Sequence, residues 1–332
     1  MQQLKSIELI YLNKNVLKSL TQNRITTIKD FLHEDPEKIA LLTKLTFAQV
    51  LEIRNDIYKK FSAVLITGEK LLEKIIRNKK LCIGIKSLDE ILDGGIPVGI
   101  TEFCGLAESG KTQLCFQIAI NCVKNSENNV LYIDTKGDFS ALRIQKILDT
   151  NGFSHKDMAL VLTKIKVIRI WSMEELIELL KKIKNKQCCI EKLALIIIDS
   201  LPCLMFQHLG DSNKLGLTYL NTMVNYSRYL YNEFNLSIIC VNIQTRWIDQ
   251  DVSDLEDDGE ISSILKEPGF VEKRNRCLGK YWKHIPTTVV LLEKSQMSTV
   301  DNTSDLNVTV IKCCNIECDR YCTLKLGDFG VT

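Results

Sequence analysis

The chain has 332 residues, of which 45% are hydrophobic and 25% charged, an ordinary globular composition that excludes disorder or fibrous structure for most of it. Lysine and arginine number 43 against 41 for aspartate and glutamate, so the formal charge is +2 and any nucleic-acid contact requires a local basic patch. No stretch reaches the roughly 18 apolar residues of a membrane helix, and no membrane association is predicted. The 13 cysteines lie mostly within apolar segments, which indicates buried thiols in a reducing compartment, the cytosol or the nucleus.

The first sixty residues carry helix signals and almost no strand signals, because their apolar residues recur at a spacing of three to four. In Asp35-Pro36-Glu37 the proline stands at a first helical position, and Thr46 with Gln49 forms a capping box. We therefore predict a small helical domain over residues 1–58, followed by a lysine-rich linker over residues 59–80.

From residue 81 onward, short β-branched runs alternate with amphipathic segments of helical length, which is typical of a parallel sheet with crossover helices. The predicted strands cover residues 100–104, 130–133, 165–170, 193–198 and 236–241. Three later runs, over residues 287–292, 307–313 and 321–326, lack intervening helices and predict antiparallel strands that continue the sheet. The predicted fold class is α/β over residues 81–332: a mainly parallel sheet with flanking helices and C-terminal antiparallel strands, preceded by a small all-α domain.

A phosphate-binding loop is predicted where the segment from Gly105 to Thr112 matches the pattern G-x-x-x-x-G-K-[ST] between a strand and a helix. Its glycines let successive amides point at phosphate oxygens, while Lys111 neutralises the β- and γ-phosphates and the Thr112 hydroxyl reaches Mg²⁺. The residues predicted to contact nucleotide are Gly105, Glu108, Ser109, Gly110, Lys111, Thr112 and Gln113. Since an anion in the loop repels phosphate, we expect the carboxylate of Glu108 to turn outward.

A second candidate for the metal is Asp199, which ends the apolar run at residues 193–198. In a phosphate-binding ATPase such an aspartate helps to hold Mg²⁺, so Thr112 and Asp199 are the predicted metal residues. The alternative is that Asp199 only caps the strand or forms a turn. ATP with Mg²⁺ is the predicted cofactor.

Upstream of the loop, residues 83–99 read IGIKSLDEILDGGIPVG. This segment resembles the G-x-x-x-L-D-x-x-L-x-G-G-x-x-x-G lead-in of RecA-like recombinases. The resemblance continues through residues 130–135 and through Asp199-Ser200, and LGKYW at residues 278–282 is similar to a stretch of the eukaryotic recombinase paralogues. The helical front end, and KFSA at residues 60–63 followed by Thr67-Gly68, look most like the paralogue of the D type.

The resemblance implies a RecA-like ATPase core that binds ATP and single-stranded DNA in homologous-recombination repair. It further implies a nuclear protein that acts in a hetero-complex with other paralogues. Arg143 stands where the family has an adenine-stacking arginine, although an ordinary helix-surface arginine is the alternative. Phe61 stands where the family has a linker plug, and it packs either on its own domain or onto a partner.

The chain departs from the family at three places. Active recombinases carry a glutamate that orients the water attacking the γ-phosphate, and this chain has Lys136 in its place. The resemblance therefore implies weak or absent ATP hydrolysis, since Asp138, the nearest acid that could replace the glutamate, is displaced along the chain. The alternative is that a base elsewhere in the chain orients the water. Ile243 replaces the family's γ-phosphate sensor, and Gln244 would point to the opposite face of a continuous strand. Residues 314–318 stand where the family has a segment that caps the ATP of the neighbouring subunit, so we do not expect filaments of this chain alone. The rival interpretation is an active recombinase that forms its own filaments.

Two loops, about 202–217 and 243–283, correspond to the DNA-contacting loops of the family. The first half of the second loop is acidic, which predicts a solvated insertion. Its acidic residues are Asp249, Asp251, Asp254, Glu256, Asp257, Asp258 and Glu260. The predicted DNA-binding residues are Arg246, Lys273, Arg274, Arg276 and Lys280. Trp282 is predicted to lie in the core, and the alternative is that it forms a platform on which bases stack.

Overall fold

The computed structural model describes residues 3–6, 9–62, 65–124, 126–208, 214–249, 271–295, 303–314 and 317–332. The chain divides into two compact units, Met1–Ile75 and Ile76–Thr332. Within the described residues, no helix combines the length and the apolar character that crossing a bilayer requires.

The first unit is helical, as the apolar spacing predicts. After a 3₁₀ turn at Leu4–Ser6 its helices are α1 (Lys14–Gln22), α2 (Ile28–His33), α3 (Pro36–Thr43), α4 (Phe47–Phe61) and α5 (Gly68–Arg77), the last of which continues across the division between the units. A predicted capping box starts α4: Thr46 Oγ1 accepts from the Gln49 amide at 3.3 Å, and the Gln49 side chain accepts from the Thr46 amide at 2.9 Å. Leu20, Phe31 and Ile39 are fully buried in the core of this unit.

The second unit is built on a nine-stranded sheet. Its strands are β1 (Gly99–Cys104), β2 (Asn129–Asp134), β3 (Ile165–Arg169), β4 (Leu193–Asp199), β5 (Ser237–Val241), β8 (Thr288–Lys294), β9 (Ser304–Cys313), β10 (Tyr321–Gly327) and β11 (Gly330–Val331). A separate two-stranded sheet consists of β6 (Gln244–Asp249) and β7 (Val271–Arg276). The strand order of the large sheet is β11-β10-β9-β8-β1-β5-β4-β2-β3, which places β1 in the interior with a parallel neighbour on each side.

Helices cover both faces of the sheet and bury a separate core on each. They are α6 (Lys86–Ile91), α7 (Lys111–Lys124), α8 (Ala141–Thr150), α9 (His155–Lys164), α10 (Met173–Lys184), α11 (Leu201–Met205), α12 (Lys214–Phe234) and α13 (Gly279–Lys283). Side chains alternate between the faces, so Phe103 and Ile197 enter one core while Ile100 and Ile198 enter the other. Trp282, 1% exposed, belongs to the second core, as predicted.

The predicted fold class is confirmed, but the first of the three late strands has a different orientation from the one expected. β8 runs parallel to β1 and antiparallel to β9, whereas the prediction had all three late strands antiparallel. The reason is the long connection from β5, which includes α13 and allows the chain to cross over and re-enter the sheet in the parallel direction. The β6–β7 pair was not predicted, because its strands are rich in charged residues.

Candidate nucleotide site

The site lies at the edge of the sheet where the parallel strands end. The loop of residues 105–110 connects the end of β1 to the start of α7. β2 ends at Asp134 and β4 at Asp199, and these two residues are paired in register. Since the carboxyl ends of parallel strands meet at one edge, the loop and both aspartates converge there, where open α/β sheets bind ligands.

Two glycines of the loop are required by geometry. A Cβ atom at Gly105 would stand 2.2 Å from the Leu292 carbonyl oxygen and 2.6 Å from Ser109 Oγ, so no other residue fits. Gly110 has φ +84°, a left-handed conformation that L side chains rarely adopt. Glu108 is exposed, in agreement with the outward orientation expected of an anion in this loop.

Lys111 folds back over the loop. Its ammonium donates to the carbonyl oxygens of Gly105 at 3.0 Å and Leu106 at 2.5 Å, and to Ser109 Oγ at 3.0 Å. Burial, together with the charge of Lys136, lowers the pKa of Lys111 to about 8 against the opposing attraction of Asp199. Its hydrogen bonds are to neutral acceptors, and a phosphate oxygen is a stronger acceptor that can replace them.

Thr112 and Asp199 are adjacent, as the pattern predicts. Thr112 Oγ1 donates to Asp199 Oδ2 at 2.7 Å, and the Tyr132 hydroxyl donates to the same oxygen at 2.8 Å. Burial first, and then the Asp199 charge, raise the pKa of Tyr132 well above its ordinary value, so this phenol remains a donor. Carboxylate and hydroxyl oxygens are the hard ligands that Mg²⁺ prefers, so the donor set fits that ion.

Lys136 reaches the same carboxylate. Its ammonium lies 3.4 Å from Asp199 Oδ1 and 3.1 Å from Asp138 Oδ2. Burial lowers the pKa of Lys136, but the attraction of Asp199 and Asp138 outweighs it and the net shift is upward, so the side chain is a cation. The sequence shows the lysine in place of an acid, but only the structure shows that it pairs with Asp199.

Arg143 and Gln113 meet beside the phosphate loop. Arg143 Nε donates to Gln113 Oε1 at 2.7 Å, and the same guanidinium donates to the carbonyl oxygens of Gly327 at 2.6 Å and Asp328 at 3.1 Å. The turn between β10 and β11 therefore fixes the position of the arginine on α8. Gln113 directly follows Thr112 in α7, so its hydrogen bond holds Arg143 of α8 next to the phosphate loop.

Gln244 also adjoins the loop, which the sequence reasoning did not anticipate. The predicted continuous strand is interrupted after Val241, and the Gln244 amide donates to the Gly105 carbonyl oxygen at 3.0 Å. Its side chain is 7% exposed, and Oε1 accepts no hydrogen bond from the described part of the chain. The interruption, and not strand alternation, decides the position of this residue.

The predicted DNA residues occupy different environments. Arg246 on β6 and Lys280 on α13 are exposed, and Lys273 lies on β7 opposite Trp247. Arg274 pairs with Glu293 at 2.6 Å. Of the acidic run, Asp249 ends β6 and the other six residues lie outside the described part of the chain.

The side chain of Arg276 is buried, which is at odds with its predicted position on a DNA-contacting surface. Its side chain is 7% exposed, and its guanidinium lies 3.2 Å from Glu102 Oε2. Glu102 is 0% exposed and also accepts from Asn242 Nδ2 at 2.7 Å and from Trp282 Nε1 at 3.0 Å. The signal that could have revealed this network is a single glutamate inside the apolar strand Gly99–Cys104, since a buried carboxylate requires a partner.

Comparisons with known proteins show which family this chain belongs to. The family model described as Rad51 matches residues 74–259. The DNA repair protein RAD51 homolog 4 of Bos taurus is 27% identical over 294 residues, which cover 86% of this chain and 84% of that protein. The protein of the same name from Mus musculus is 25% identical over 309 residues, which cover 91% and 87%.

A solved structure supports the fold. The crystal structure of the RadB recombinase aligns with a TM-score of 0.57 and 17% identity, over 76% of this chain and 98% of that one. The large sheet is accordingly of the RecA-like type, and the family model spans more than half of the sequence, including the phosphate loop and Asp199. The chain belongs to the Rad51 family.

Proposed function

We propose that this chain is a recombinase paralogue of the D type that binds ATP and single-stranded DNA in homologous-recombination repair. It acts in the nucleus within a hetero-complex with other paralogues, and it hydrolyses ATP weakly or not at all. The observation that carries the proposal is the convergence of Lys111, Thr112 and Asp199 at one edge of the sheet. The contact of the Lys136 ammonium with the Asp199 carboxylate supports weak or absent hydrolysis. Two relatives named as RAD51 homolog 4 support the choice of paralogue.

In this proposal the protein holds the nucleotide by main-chain amides and charged side chains. The amides of residues 105–112 and the N-terminal end of α7 face the phosphates, and Lys111 exchanges its loop carbonyls for phosphate oxygens. Thr112 and Asp199 would hold Mg²⁺, which when bound neutralises charge on the β- and γ-phosphates. Arg143, oriented by Gln113, lies beside the loop where the adenine would stack. No described residue at the site is an acid placed to orient water, since Asp138 is paired with Lys136.

The replacement Lys111→Ala is expected to weaken ATP binding by about 10- to 100-fold, because hydrogen bonds to charged groups contribute about 1.5–3 kcal/mol. The measurement is isothermal titration with a non-hydrolysable ATP analogue at saturating Mg²⁺. Lys192→Ala is the matched control: this lysine also has a hydrogen-bonded ammonium, 3.3 Å from Glu127, but it precedes β4 at the end of that strand opposite to Asp199. An unchanged dissociation constant for Lys111→Ala would contradict the assignment, and failure of the unmodified chain to bind would remove the proposal.

The alternative is an active recombinase that forms its own filaments, and the complete phosphate loop is the observation in its favour. Size-exclusion chromatography with light scattering separates the two with the same preparations. A chain that stays monomeric with ATP and DNA, and joins only heterologous paralogues, supports the main proposal. Self-polymers on DNA would establish the alternative.

The proposed DNA contacts are Arg246 and Lys273 on the two-stranded sheet and Lys280 on α13. Arg274 is a contact only if its pair with Glu293 opens. Replacing both Arg246 and Lys280 by alanine is expected to weaken single-strand binding and to reduce the slope of log K against log salt by about 1.4, at roughly 0.7 per phosphate contact. Fluorescence anisotropy over a salt series measures both. The control is Lys181→Ala with Lys192→Ala, two lysines away from this sheet, and equal slopes in the two double variants would place the DNA elsewhere.

A further inference from the structure

The carboxylate that would help to hold Mg²⁺ is already engaged by side chains on both oxygens. Asp199 Oδ2 accepts from Thr112 and from Tyr132. The other oxygen, Oδ1, accepts no hydrogen bond from the described residues and faces the ammonium of Lys136 at 3.4 Å. Since Asp199 is 1% exposed, this ammonium supplies positive charge directly beside a buried carboxylate.

The position of Lys136 is fixed by its surroundings. It lies in the turn after β2, where Asp134 Oδ1 accepts from the amides of residues 136, 137 and 138 at 2.8–3.2 Å. Asp138 holds the ammonium from the outer side at 3.1 Å, and the side chain is 27% exposed. A lysine that is held from its backbone and from two carboxylates does not sample the surface freely.

The site therefore carries two ammonium groups, one from Lys111 within the phosphate loop and one from Lys136 beside the buried carboxylate of Asp199. A P-loop site ordinarily combines one such lysine with a divalent cation held by the loop hydroxyl and the strand-end aspartate. In this chain the side chain of Lys136 supplies positive charge at Asp199. The charge is present whether or not the metal is bound.

Building on the ATP binding proposed above, we propose that Lys136 is a resident cation of the nucleotide site. It neutralises phosphate charge of an adenine di- or triphosphate, so that nucleotide affinity depends only weakly on Mg²⁺. The ammonium of Lys136 and the metal ion both neutralise the negative charges of the phosphates. The protein therefore retains nucleotide when free Mg²⁺ is removed.

The test is the dissociation constant of ADP and of a non-hydrolysable ATP analogue, measured by isothermal titration in Mg²⁺ and in EDTA at equal ionic strength. For the unmodified chain the two conditions are expected to differ by less than about tenfold. For Lys136→Ala the constant in EDTA is expected to rise by about 10- to 100-fold, the amount for loss of one charged hydrogen-bonding partner, with a much smaller change in Mg²⁺. Lys136→Arg is expected to keep the behaviour of the unmodified chain.

Two controls separate the possible failures. Lys181→Ala and Lys192→Ala remove ion-paired lysines away from the nucleotide site, and both are expected to leave the ratio of the two constants unchanged. If the unmodified chain binds no nucleotide even in Mg²⁺, the proposed function fails. If it binds in Mg²⁺ but loses more than about a hundredfold in EDTA, or if Lys136→Ala shows the same ratio while its thermal unfolding is unchanged, the resident-cation proposal is overturned.

Discussion

The purified protein is expected to hydrolyse ATP at least about a hundredfold more slowly than a filament-forming recombinase of the Rad51 family, assayed with the same single-stranded DNA. The reason is the ammonium of Lys136, which cannot accept a proton or align water as a carboxylate does. Loss of a positioned base costs on the order of 10²–10⁴ in rate. A steady-state phosphate-release assay measures the difference, and an equal rate would show that a base elsewhere serves.

Substitutions of Lys136 test whether this residue causes the slow hydrolysis of ATP. The ammonium of Lys136 lies 3.4 Å from Asp199 Oδ1, so a glutamate at this position starts from the same turn and is directed toward the same part of the site. Lys136→Glu is expected to raise the rate by about a hundredfold at saturating Mg²⁺. Lys136→Gln also removes the cation but provides no base, and its rate should stay near that of the unmodified chain. If both variants gain equally, the cation inhibits hydrolysis by its charge and the missing base is not the cause.

Removal of the buried guanidinium has the largest expected effect on stability. Arg276→Ala leaves the Glu102 carboxylate buried without its ion-pair partner, which costs about 3–5 kcal/mol of unfolding free energy. At about 2–4 °C per kcal/mol for a unit of this size, the Tm should fall by roughly 6–20 °C. Differential scanning calorimetry measures the shift. Arg274→Ala is the control, because the neighbouring pair with Glu293 is more exposed and should contribute about 1 kcal/mol or less.

The pH dependence of this variant follows from the sign of one pKa shift. Burial raises the pKa of Glu102 in the folded protein, while Arg276, Asn242 and Trp282 oppose the rise. Without Arg276 the folded-state pKa rises further, so the native state binds the proton more tightly than the unfolded state does. Stability of Arg276→Ala is therefore greatest below the unfolded pKa of the carboxyl group and decreases as pH rises through the folded value. The penalty should be smaller at pH 5 than at pH 8.

A double replacement shows whether charge burial is the cause. Glu102→Gln combined with Arg276→Met removes both charges and keeps one acceptor oxygen, for Asn242 or for Trp282, so it should recover part of the lost stability. If the double variant is as unstable as Arg276→Ala, packing around the arginine is responsible and not the unpaired carboxylate. A loss from Arg276→Ala no larger than that from Arg274→Ala, or a penalty equal at both pH values, would contradict the account of the buried pair.

The sequence by itself determined the features that depend on neighbouring residues. The capping box at Thr46, the glycines of the phosphate loop, and the alternation of strands with helices follow from local spacing and backbone conformation, and each is present in the structure. Lys111 and Thr112 could be located because their context, a strand followed by a glycine loop and a helix, is itself local, and Asp199 because it ends a buried apolar strand. Trp282 could be placed in the core from its type.

Tertiary structure alone decided which distant residues pair. Arg276 had the composition of a DNA contact, and only the placement of β7 and α13 against β1 shows that its partner is Glu102, 174 residues earlier. The same holds for Lys136 and Asp199, which β2 and β4 bring together, and for the parallel direction of β8. Strand order and connection geometry fix these pairings, and no periodicity in the chain encodes them, because a local pattern specifies the direction of a side chain but not what lies opposite it.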